Sequence, residues 1–132
     1  MSRLAIAVAV FLASPALAGS PGGIWRTEAN DEGNYLHVEI TPCRTDAALW
    51  CGTIVSARNS AGKPIASAHI GRQMIAGMKP DGPDAWSGGT IWAPDDDETY
   101  SSNMRLKGNL LSVEGCVFGG LICRGQDWRR VK

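Results

Sequence analysis

Polar and apolar residues alternate strictly between Tyr35 and Ile40: Leu36, Val38 and Ile40 are apolar, and Tyr35, His37 and Glu39 are not. Period two is the mark of a strand with one face on a core. Residues 99–106 alternate in the same way. Tyr100, Ser102, Met104 and Leu106 form one face, and Thr99, Ser101, Asn103 and Arg105 the other. No stretch after residue 18 carries a helical stripe. Turn signals rich in Gly, Pro, Asn and Asp recur at 30–34, 59–62, 80–83, 94–97, 107–109 and 118–120, and residues 44–49 make a seventh. Seven turns joining sequential strands give eight strands, expected at 23–29, 34–42, 50–57, 69–78, 85–93, 98–107, 109–116 and 123–131. The least regular stretch is 63–75, which suits a short helix or a loop ahead of the fourth strand. Short strands, short turns and almost no helix predict an all-β domain. A meandering order favours an eight-stranded up-and-down antiparallel barrel, which leaves few open edges.

The first 18 residues break this pattern. Arg3 is followed by ten uninterrupted apolar residues, Leu4 to Ala13, and then by Ala16-Leu17-Ala18. A short basic start, an apolar run and small residues at the end predict a secretory signal peptide over residues 1–18. Ten residues are too few to span a bilayer, which takes about 20. The expected mature chain is a single domain, 19–132, without a membrane span. Its net charge is −1, because Arg3 is the one charge removed from a balanced set of 13 basic and 13 acidic residues. A chain without a basic excess is a poor partner for nucleic acid.

Secretion changes the reading of the cysteines. Cys43, Cys51, Cys116 and Cys123 all follow the cleavage point. An even number in an oxidising compartment points to disulfides. No Cys-x-x-Cys occurs and neither His37 nor His69 lies near a cysteine pair, so no metal site is expected. Three pairings are open. The strand layout favours Cys43–Cys51 and Cys116–Cys123, each closing a short loop between consecutive strands. No cofactor motif and no nucleophile motif of the Gly-x-Ser-x-Gly kind is present, so an enzyme is not expected. The acidic run Asp95-Asp96-Asp97-Glu98 lacks the spacing of a calcium loop and reads as a solvated turn.

Five of the nine aromatic residues are tryptophan: Trp25, Trp50, Trp86, Trp92 and Trp128. Such side chains fill a small barrel or line its pocket. Trp25 is the strongest structural case, with Arg124, Arg129 or Arg130 of the last strand as the cation over its face. We take Gly23, Trp25 and Arg129 as the barrel-closing set. Trp86, Trp92, Tyr100 and Trp128 are candidate pocket-lining residues. Gln126 or Arg105 would orient a ligand there.

Gly23-Ile24-Trp25 on the first strand, with an arginine beside Trp128 on the last, resembles the calycin signature of lipocalins and their relatives. A longer series runs in order: Cys51-Gly52-Thr53-Ile54-Val55, Gly77-Met78-Lys79-Pro80-Asp81-Gly82, Trp86-Ser87-Gly88-Gly89-Thr90-Ile91-Trp92-Ala93-Pro94, Thr99-Tyr100, Leu111-Ser112-Val113-Glu114-Gly115-Cys116 and Cys123-Arg124-Gly125-Gln126-Asp127-Trp128-Arg129. This series resembles the bacterial secreted family of unknown function numbered 2147, across nearly the whole mature chain. The resemblance implies a lipocalin-like barrel in the periplasm of a Gram-negative bacterium, and it implies no chemistry. It also favours Tyr100, Met104 and Leu106 as the inward face of their strand. The chain departs from the family pattern at Ala93, at Asp97-Glu98 and at Glu114, where acidic residues stand at two basic positions of the pattern. The expected function is the binding or carriage of a small apolar or amphipathic molecule. The alternative is an envelope interaction or stress-related module with a filled barrel and an exposed apolar patch.

Overall fold

The computed structural model describes residues 19–132. The expected signal peptide lies outside the described residues. The strands are β1 (Gly23–Arg26), β2 (Tyr35–Pro42), β3 (Trp50–Arg58), β4 (Pro64–Ile65), β5 (Gln73–Pro80), β6 (Ala85–Ala93), β7 (Glu98–Lys107), β8 (Leu110–Val117) and β9 (Ile122–Arg130). Every pairing is antiparallel, and neighbours run β2-β1-β9-β8-β7-β6-β5-β3 before β3 returns to β2. Eight strands therefore close a barrel, as the turn spacing predicts. The two-residue β4 is an appendage on the end of β3.

Period-two alternation aims one side chain in two at the axis. Register then stacks these residues around the ring: Trp25 opposite Val38, Val38 opposite Ile54, Ile75 opposite Ile91, Trp86 opposite Met104, Met104 opposite Val113 and Leu111 opposite Trp128. Most of these are buried and belong to one continuous apolar cluster. On β7 the inward set is the one containing Ser102 and Met104, both buried, while Arg105 is exposed.

Alternate turns of an up-and-down barrel lie at alternate ends. One end is closed by the segment before β1. The Trp25 indole nitrogen donates to the Pro21 carbonyl at 2.8 Å. The Arg130 guanidinium lies 4.4 Å from the Trp25 ring centroid and donates from Nη1 to the Gly22 carbonyl at 2.8 Å. This corrects the expectation for Arg129. Arg130 shares the inward face of β9 with Trp128 and sits opposite Trp25, whereas Arg129 is exposed on the other face. Gly23 has φ +130°, and a Cβ there would stand 2.5 Å from the Lys132 carbonyl oxygen, so this close approach of the chain end requires glycine.

Two further expectations change. The first strand ends at Arg26 rather than 29, because Asn30 turns the chain: its side-chain oxygen accepts from the Glu32 and Asn34 amides, both at 3.0 Å. The fourth long strand starts at Gln73 rather than 69. Residues 67–72 are coiled by Ile70 N–H to Ser67 O and Arg72 N–H to His69 O bonds, with no α-helix. Both cysteine pairs form as expected, Cys43–Cys51 at one end of the barrel and Cys116–Cys123 at the other.

Candidate functional site

The end opposite the Trp25 closure is open. Its rim is made by the β1–β2 loop, the segment from β3 to β5, the β6–β7 turn and β9. They surround a cavity of about 610 Å³. Leu36, Ala57, Ile65 and Met74 supply its apolar wall, and Glu28, Asp31, Glu32 and Asp95 stand around the entrance. Among the described residues no Lys or Arg lines it, and His69 does. A concave apolar wall with a few placed polar groups is the general form of a small-molecule site.

Asparagine side chains hold two of the loops. Asn30 does so in the β1–β2 loop, and Asn59 accepts from the Ala61 and Lys63 amides, both at 3.0 Å. Thr27 is buried, and its hydroxyl oxygen accepts from the Leu36 amide at 3.0 Å, which fixes the wall beside it. Gln126 is the one expected ligand-binding residue that lines the cavity. Its Oε1 accepts from the Trp128 indole at 2.9 Å and from the Glu28 amide at 3.3 Å. Both contacts fall on the oxygen, so the amide nitrogen is the end it offers to a ligand.

The other five candidates lie elsewhere. Trp86 and Trp128 are buried in the barrel core. Trp92 is buried at the rim. Arg72 lies 3.5 Å above its ring, His69 meets it edge-on at 5.2 Å, and its indole donates to Asp97 Oδ1 at 2.8 Å. Tyr100 donates to Asp96 of the β6–β7 turn, and this hydrogen bond, more than any other cause, raises the phenol above its ordinary range. Arg105 lies on the outer wall, in a second depression of about 470 Å³ shared with Asp81, Asn103 and Glu114. Asp96 and Asp97 of the acidic run are thus bonded within and beside their own turn, whereas Asp95 stands at the cavity entrance. The remaining cavity residues were missed because their signal is topological. Only counting turns, and assigning alternate ones to one end, brings 30–34, 59–72 and 94–97 together.

On the outer face of β1–β3, Arg26 opposes His37 and Tyr35 opposes Arg58. Burial, followed by the nearby Arg58 and Arg26 charges, holds the His37 imidazole below its ordinary value.

The model of the family described as "Uncharacterized protein conserved in bacteria (DUF2147)" matches residues 23–130. The chain belongs to this family. The matched span runs from the first strand to the last residue of β9, which is the barrel. Among solved structures, the fold is similar to a chain described as "Protein HP1028 from the human pathogen Helicobacter pylori belongs to the lipocalin family", with a TM-score of 0.67 and 15% sequence identity, over 86% of this chain and 84% of that one. No curated protein matches the sequence. At that identity the likeness shows the barrel architecture. The lipocalin-like assignment therefore holds for the fold, in a family whose function is uncharacterised.

Proposed function

We propose that this DUF2147 protein binds or carries a small amphipathic molecule in the open end of its barrel. The observation that carries the reading is the cavity of about 610 Å³, apolar on Leu36, Ala57, Ile65 and Met74 and ringed by carboxylates. The lipocalin architecture supports it, being compatible with small-ligand binding. The charge ring selects among ligands. Four carboxylates, with no lysine or arginine in the lining, disfavour an anionic head and accept a neutral or cationic one. Gln126 then supplies a donor to the head, and the ligand's apolar body lies against Met74 and Ala57. Catalysis is not part of the reading.

A neutral naphthylamine dye tests this by fluorescence. It is expected to bind the wild-type protein. Ala57→Phe, which puts a ring into the cavity from a buried wall position, weakens it by about tenfold or more, the equivalent of 1.4 kcal/mol. A dansylated fatty acid of similar size, bearing a carboxylate, is expected to bind more weakly than the dye at low salt. Equal dye binding by the wild-type and Ala57→Phe proteins would sink the site assignment.

One observation favours the interaction-module alternative. Phe118, Leu121 and Ile122 at the β8–β9 tip are 75%, 86% and 59% exposed, which is an apolar knob that a partner protein would cover. Serine at Phe118 and Leu121 leaves dye binding unchanged if the carrier reading holds.

We also propose export with cleavage after Ala18. Two disulfides support an oxidising compartment, and among the described residues no helix is long and apolar enough to cross a membrane. Gly19 N lies 2.7 Å from Asp84 Oδ1, so cleavage there would place a new α-ammonium against a carboxylate. Asp84→Asn is expected to lower the urea midpoint of the processed chain more than that of a chain extended at Gly19. Equal losses in the two chains would count against this pairing.

A further inference from the structure

The outer wall of the barrel carries a cationic cluster that the mouth does not use. Arg26 of β1, His37 of β2 and Arg58 of β3 lie on one outward face, gathered around Tyr35. The Arg26 guanidinium is 3.9 Å from the Tyr35 ring centroid, and the Tyr35 and His37 rings are 5.9 Å apart. Register places Arg26 opposite His37 and Tyr35 opposite Arg58.

Among the described residues no carboxylate forms an ion pair with this group. Among the described residues, the one Arg or Lys within 4.0 Å of a carboxylate is Arg72, with Asp97, in another part of the barrel. Glu39 lies two residues beyond His37 on the same strand and is exposed. Arg58 is held in place by a bond from Nη1 to the Gly62 carbonyl at 3.1 Å. Its Nε is the one buried side-chain nitrogen or oxygen among the described residues without a hydrogen-bond partner. An unmet buried donor is costly, the more so on a charged group. That Nε is closed to solvent, so the Nε–Nη2 edge, the edge that grips a planar or tetrahedral oxyanion side-on, meets an anion only when the Arg58 side chain shifts outward.

We propose that this face is a binding site for a phosphate group, held between the side-on edge of Arg58 and the guanidinium of Arg26, with His37 as a third donor. Two fixed cations and one titrating imidazole suit a group carrying up to two negative charges better than a single carboxylate. The phosphate is either free or part of a lipid headgroup. Binding also explains why an imidazole sits between two arginines. The anion would cancel the repulsion that depresses His37, and the imidazole would donate to it once protonated. Neither Arg26 nor Arg58 nor His37 lines the cavity, and Tyr35 is the residue that the two sites share.

The two histidines allow a direct test on the folded, oxidised protein. Imidazole resonances are followed by NMR across pH, with inorganic phosphate and with sodium chloride at the same ionic strength. Phosphate is expected to raise the His37 midpoint by about one pH unit. His69, which packs against Trp92, serves as the internal reference. Arg26→Gln with Arg58→Gln abolishes the His37 response. Arg58→Lys keeps the charge, removes the side-on edge and weakens phosphate by about tenfold; it serves as the second variant if the double change impairs folding. Sedimentation with phosphatidylglycerol vesicles, compared with phosphatidylcholine, separates the two sources. Retention lost in the double variant assigns a headgroup, and the NMR response without retention assigns free phosphate. A His37 midpoint that moves no more in phosphate than in chloride, or that still moves in the double variant, overturns the proposal.

Discussion

Trp25→Ala is expected to cost about 3–5 kcal/mol, a large share of the roughly 5–15 kcal/mol that holds a domain of this size. Trp25 is fully buried. It ties the segment before β1 and the start of β1 to the far end of the chain at Arg130. Its indole holds Pro21 of the N-terminal segment, its ring supports Arg130, and Arg130 in turn holds Gly22. Alanine leaves a cavity, removes the donor to Pro21 and leaves Arg130 without the ring beneath it. Trp25→Phe keeps much of the apolar contact and loses the indole hydrogen bond, so its cost is about 1–3 kcal/mol. Urea unfolding with intact disulfides measures both. The expected order is wild type, then Phe, then Ala, with the alanine midpoint lower by roughly 2 M, given a slope of about 1–3 kcal/mol/M. An alanine variant within about 0.5 kcal/mol of wild type would mean that this end of the barrel is not closed as described.

Removing both disulfides is expected to have a comparable effect. Each closes a short loop, with sequence separations of 8 and 7. By chain entropy each contributes about 2.5 kcal/mol, so replacing all four cysteines with serine costs about 5 kcal/mol. The two are not equivalent towards reductant. Cys123 is exposed beside the β8–β9 tip, whereas Cys43 is buried at the β2–β3 corner. Limited reduction with thiol labelling and peptide mapping is expected to open Cys116–Cys123 first. Opening of Cys43–Cys51 first would contradict the burial order.

Much of this barrel is legible in the residues. Leu36, Val38 and Ile40 repeat every second residue, and one side of β2 lies on the interior. The cysteine pairs follow from strand neighbours: in an antiparallel hairpin Cys116 falls opposite Cys123, and Cys51 lies opposite Thr41, close to Cys43. What fails is what depends on register or on distant contact. Arg129 and Arg130 are adjacent in sequence and face opposite ways, and the choice needs the register of β9 against β1. Trp92 reads as a pocket residue because its coverings, His69 and Arg72, come from the irregular segment before β5. Thr27, Leu36, Ala57 and Met74 carry no motif. They form a site only because closing the sheet brings four separate segments to one rim. The family match leaves function open, and the site has to be argued from its geometry.

Occupancy of the open end by a small amphipathic molecule can be weighed. Its most direct test is the native mass of protein secreted into an oxidising periplasm and purified without denaturant, set against its denatured mass. The expected result is excess mass that disappears on denaturation, is absent from Ala57→Phe, and yields on solvent extraction a neutral or cationic amphiphile. A native mass equal to the bare oxidised chain, together with dye binding that Ala57→Phe does not change, would contradict it.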